Sequence, residues 1–192
     1  MRDDDPPTDW DHFIAAEAEI KAAAVQLLRA VECGDAAAFR EAATRVSGFD
    51  DCWNYALEEI LRVQPSISPA IRREVLDTWA WQGRVMRCSA YGDGLLVDAM
   101  RHILGHYRGP ARRLYRGERL AAYERGDIGI AWSKHRRVAE WFARWPEGGV
   151  VLETIAPPRA ILGRVPSWSN GGLYLGEYLV DPRLLESVSV VR

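Results

Sequence analysis

The sequence predicts an α+β fold, a helical amino-terminal half packed against a β-rich carboxyl-terminal half, and three observations carry that reading. Apolar residues recur at helical spacing from Trp10 to about Tyr107, following a period of about 3.6 residues. After Gly109-Pro110 the texture changes to brief β-type runs, interrupted by one amphipathic helical segment over 137–144. Helices thus precede strands instead of alternating with them, which argues against a βαβ parallel sheet. The expected organisation is a polar tail over residues 1–9, a helical region over 10–108 and a β-rich core over 109–192.

The first helix is expected from Trp10, with Phe13, Ile14, Ala18, Val25, Leu28 and Val31 near one face and Gly34 as its end. Asp35 reads as the N-cap of a second helix through Phe39 and Ala43, and Asp50 as that of a third carrying Trp53, Leu57, Ile60 and Leu61. Pro65 closes the third. Ser68-Pro69 sets a capping hydroxyl before a proline at the first helical position, and the helix that follows holds Ile71, Val75, Leu76 and Trp79. A fifth helix spans roughly 94–107. Strands are expected over 113–116, 129–133, 150–155, 160–162, 177–180 and 188–191, and Asp181-Pro182 reads as a turn.

Composition removes several function classes. The formal net charge is −2, so no global positive field holds nucleic acid by counterion release, and nucleic acid is not a favoured partner. Of the 25 basic residues only Lys21 and Lys134 are lysine, a skew toward arginine that makes any single arginine a weak signal. Cys33, Cys52 and Cys88 form neither a disulfide framework nor a zinc knuckle, and a reducing cytoplasm is the expected compartment. The acidic start lacks the apolar stretch of a signal peptide, and no apolar run reaches the roughly 18 residues of a membrane span. His102 and His106 stand four apart, a spacing that can hold zinc, but no third ligand accompanies them and no metal is expected.

Three pieces of the second half could carry chemistry: Leu114-Tyr115-Arg116-Gly117, Gly129-Ile130-Ala131-Trp132-Ser133, and Gly176-Glu177-Tyr178-Leu179-Val180. Each sets a polar residue at a strand edge, and the middle piece runs into a helix with Ala139 and Phe142, a Ser-x(5)-Ala-x-x-Phe arrangement. In this order the chain resembles the mono-ADP-ribosyltransferase family of the Arg-Ser-Glu type, over about residues 113–183.

The resemblance implies a core of two short antiparallel sheets with NAD in the cleft between them. It implies Arg116 on the NAD phosphates and nicotinamide ribose, Gly117 near the nicotinamide amide, Ser133 orienting the site, and Glu177 as the catalytic glutamate. The chemistry is coherent on its own terms. Cleaving the C–N glycosidic bond of NAD puts positive charge on the ribose, which a fixed carboxylate stabilises more in the transition state than in the ground state. A guanidinium fork suits a pyrophosphate, and Trp79, Trp81, Trp132, Trp141 and Trp145 are candidates to stack on the nicotinamide or adenine ring, Trp132 beside Ser133 first among them.

Members of the family that modify arginine or asparagine carry Glu or Gln two residues before the catalytic glutamate. Here that position is Leu175, which points to another acceptor: a different side chain, a nucleic-acid base, a small molecule or water. The turn-rich segment 163–172 holds Trp168, expected with Leu175 to recognise the acceptor. The expected activity is NAD-dependent mono-ADP-ribosyl transfer. Its rivals are an NAD glycohydrolase toxin and a non-catalytic interaction module whose helical half binds a protein partner.

Overall fold

The computed structural model describes residues 9–48, 52–145, 147–166 and 175–191. Five helices lead: α1 (Asp9–Cys33), α2 (Ala36–Val46), α3 (Cys52–Val63), α4 (Pro69–Ser89) and α5 (Asp93–Leu104). There follow β1 (Arg112–Arg119), α6 (Leu120–Glu124), β2 (Ala131–Ser133), α7 (Arg136–Ala143), β3 (Gly149–Ala156), β4 (Ile161–Arg164), β5 (Glu177–Val180) and β6 (Ser189–Val191). The α+β class and its order, helices before sheet, are as the sequence implies. The short α6 is an addition to the single helix expected among the strands. No described helix is long and apolar enough to cross a membrane.

Local chemistry explains the helix starts. The Asp35 carboxylate accepts from the N–H groups of Ala37 and Ala38, each at 3.0 Å, and the Ser68 hydroxyl accepts from the Ile71 N–H at 3.2 Å with Pro69 behind it; both satisfy first-turn donors that a helix cannot pair internally. Asp50, the expected cap of α3, lies outside the described residues. The expected stripe of α1 needs correction. Ile14, Ala18 and Val25 face solvent, and the buried face is Ala23, Ala24, Leu27, Leu28, Ala30 and Val31. Helices α2 and α3 pack on that face, and a period of apolar residues identifies neither the partner nor where it docks.

The strands form one antiparallel sheet in the order β4-β5-β2-β1-β3-β6. This corrects the expectation of two sheets. The halves β4-β5-β2 and β1-β3-β6 are stitched together where β2 pairs with β1 at Tyr115 and Ser133, so the strand-edge hydrogen bonds that two separate sheets would leave open are closed there.

Two cores back this sheet. The larger holds the α1–α5 interior, including Trp53, Leu57, Trp79 and Met100, and continues into Ile130, Leu162, Val165 and Leu179 of the second half. The smaller gathers Leu114, Trp132, Leu152, Ile161, Tyr178 and Val180. Asp181, only 2% exposed, fastens the halves: it accepts from Arg101 of α5 at 2.8 Å and from the Arg183 Nε at 2.9 Å. Burial alone pushes its carboxyl up, but the Arg183 and Arg101 hydrogen bonds outweigh it and hold the group below the usual aspartate range. The acid at this turn is therefore a structural anion.

Candidate functional site

Strand register builds the floor of the site. Ser133 on β2 lies opposite Glu177 on β5 and opposite Tyr115 on β1, so the three form a row across adjacent strands with their side chains on one face. A cavity of about 700 Å³ opens over this row. Tyr115, Ser133 and Glu177 supply its floor, Arg116 beside Tyr115 on β1 borders it, α4 lines it through Trp79, Arg84 and Arg87, and α7 through Val138, Ala139 and Phe142. Arg116, Ser133 and Glu177 are thus brought to one space, as expected from their order in the chain.

Each polar side chain is held. Burial pushes the Glu177 carboxyl above the usual glutamate range, and the Trp79 hydrogen bond and the nearby Arg116 charge pull it back only in part. The Trp79 indole N–H donates to the Glu177 Oε1 at 2.7 Å. The Arg116 side chain is 13% exposed and paired with Glu118, itself 15% exposed, at 2.8 Å; its Nη1 donates to the Ala131 carbonyl at 2.7 Å. Desolvation depresses the Arg116 guanidinium, opposed by Glu118. The Ser133 hydroxyl donates to the Leu175 carbonyl at 2.6 Å and accepts from the His135 N–H at 2.9 Å. It shapes the turn into α7, while His135 occupies the N-cap position of that helix.

Gly117 has a packing role. A Cβ there would stand 2.4 Å from the Ala139 carbonyl oxygen and 2.5 Å from the Ala143 nitrogen, so α7 lies backbone to backbone on β1, an approach that only glycine permits. Its backbone still borders the cavity. Trp132 borders the same cavity, but its ring is only 1% exposed and sits within the smaller core, and its indole N–H donates to the Gly129 carbonyl at 3.1 Å. Leu175 contributes its carbonyl to Ser133. Trp168 lies outside the described residues.

The His102/His106 pair is split by the end of α5 at Leu104, and the His102 Nε2 lies 3.1 Å from the Pro65 carbonyl oxygen. No cluster of three potential metal ligands occurs among the described residues.

Sequence reasoning missed two contributors and gave a third another role. Glu118 was accessible in principle, because Arg-x-Glu on a strand places both side chains on one face. Arg87, gripped by Asp93 through a two-bonded fork at 2.8 and 2.7 Å, had no local signal, and Trp79, a stacking candidate in the sequence, serves instead as a hydrogen-bond partner of Glu177; both arrive from the helical half. Chemically, the arrangement sets three guanidiniums, Arg84, Arg87 and Arg116, around a cavity with an apolar α7 wall, together with the partly buried carboxylate of Glu177 and the carboxylates of Asp93 and Asp127. That set suits an anionic ligand carrying a flat apolar ring. Set against protein-family models, curated proteins and solved structures, the chain matches none of them.

Proposed function

We propose that the protein is an NAD-dependent mono-ADP-ribosyltransferase of the Arg-Ser-Glu type, releasing nicotinamide and passing ADP-ribose to an acceptor. The observation that carries this reading is that Arg116, Ser133 and Glu177, from three different strands, line one cavity. In the proposed reaction Arg116 meets the NAD phosphates with the N–H groups that Glu118 and Ala131 leave over, and Glu118 fixes its orientation from behind. Ionised Glu177 faces the ribose as the C–N bond to nicotinamide breaks and the bonding pair leaves with the ring, so positive charge grows beside a fixed negative one. The apolar α7 wall limits water around that charge, which strengthens the interaction. Ser133 contributes by tying β2 to the backbone just before Glu177.

Because Glu177 acts ionised and burial raises its pKa, nicotinamide release falls off as pH drops toward a value above the ordinary glutamate range. Glu177→Gln is expected to slow nicotinamide release from NAD by about a hundredfold or more. An unchanged rate in a folded variant overturns the mechanism.

Two observations favour alternatives. Leu175 is apolar where family members that modify arginine or asparagine carry Glu or Gln, which suits an NAD glycohydrolase; that reading predicts free ADP-ribose as the product. The hydroxyl of Ser133 is occupied by backbone groups on both sides, which suits a non-catalytic module. Thermal melts separate the module from both enzymes, since NAD bound only by the native state raises the melting temperature, and no rise at millimolar NAD favours the module.

A further inference from the structure

The geometry points to Trp79 as a positioning residue for Glu177, so that helix α4 of the helical half supplies a working part of the site. The inference rests on the reading of Glu177 as the carboxylate of an NAD-cleaving centre.

Three features support it. The Trp79 indole N–H meets the Glu177 Oε1 at 2.7 Å from a ring that is 5% exposed and embedded in the larger core. That ring lies flat over Gly83, where a Cβ would stand 2.8 to 3.2 Å from three of its atoms; the missing side chain is the seat of the indole, which accounts for a glycine in the interior of a helix at a cost of about 1 kcal/mol. Finally, Ser133 is Glu177's registered neighbour, but its hydroxyl donates to the Leu175 carbonyl.

An indole suits this task. It donates one hydrogen bond, accepts none and does not ionise at working pH, so it holds Oε1 without competing for the charge and leaves Oε2 for the ribose. The bond favours the ionised carboxylate against the burial that disfavours it. The charged and titratable groups that share the cavity with Glu177 are Tyr115 and Arg116 from β1, Arg84, Arg87 and Cys88 from α4, Asp93 from α5, and Asp127. Of these, the Arg116 charge acts on Glu177 in the same direction as the indole.

The test uses the full chain with its wild-type sequence, W79F, G83A and E177Q. In wild-type protein without NAD, the Trp79 side-chain N–H resonance is expected to titrate in step with the Glu177 carboxyl carbon, and to lose that titration in E177Q. In W79F the Glu177 pKa moves up, the acidic limb of nicotinamide release moves up with it, and kcat falls about tenfold with little change in KM. Gly83→Ala displaces the ring without removing it and shifts the same limb in the same direction.

An indole resonance indifferent to the Glu177 titration overturns the inference even in a protein that turns over NAD, and needs no variant of Trp79 to fold. A folded W79F with wild-type pKa and kcat overturns it too. A wild-type protein that releases no nicotinamide overturns the reading of the site instead, and the titration then still decides whether the indole governs the carboxylate.

Discussion

Helices α4 and α7 face each other across the same cavity and are held in place by different means. Helix α4 runs for 21 residues and buries Ile71, Val75, Trp79, Gly83 and Met86 along its length. Its buried Glu74 accepts two hydrogen bonds from Arg40, at 2.7 and 2.6 Å. Helix α7 runs for 8 residues and buries only Ala139. What secures it is proximity: a Cβ on Gly117 or Gly149 would collide with its backbone. Trp141, half-exposed, meets Phe142 of the cavity wall and, beyond the helix end, Trp145, 74% exposed, in edge-to-face contacts with centroids 4.8 and 5.7 Å apart. One wall is therefore part of the global core, and the other is a small element whose local stability is set by two glycines.

That contrast can be broken at its strong end first. Ile71→Ala empties space in the core behind α4 and is expected to cost about 3 kcal/mol of global stability in urea melts; a loss below about 1 kcal/mol means α4 is not the fixed wall. Gly149→Ala places a Cβ 1.8 Å from the Ala143 carbonyl oxygen, and the end of α7 must move, for about 2 kcal/mol. Amide exchange sharpens this second case: protection should fall along α7 and β3 while α4 keeps its own, and a uniform loss counts against a locally held wall. Trp145→Ser is expected to change stability by less than about 0.5 kcal/mol despite the size of the side chain. A larger loss shows that the aromatic group helps to fasten α7.

How much of this was legible in the chain depended on whether the signal was local. Strand β5 begins and ends where the sequence places it, because Glu177 to Val180 is a compact β-type run between Gly176 and Asp181-Pro182. Helix α7 is legible within a residue at each end from its apolar spacing. The residues that mark helix α4 in the sequence run from Ile71 to Trp79, and the helix continues to Ser89, since apolar spacing announces a helix more firmly than its end. Strand pairing is non-local, so the union of two expected sheets through Tyr115 and Ser133 had no trace in the spacing of residues. The same holds for the Trp79–Glu177 bond, which joins positions 98 apart. Trp132 borders the same cavity as Ser133 with 1% of its surface exposed, and how deeply a strand residue is buried is not legible from its neighbours in the chain.

The bond between an indole on α4 and a carboxylate on β5 also bears on how the molecule could be divided. A graft of residues 112–191 into a foreign scaffold would carry Arg116, Ser133 and Glu177 intact and leave behind the donor that meets the carboxylate, along with Arg84 and Arg87. The recipient would hold the three strand residues without the contact that meets the Glu177 carboxylate here.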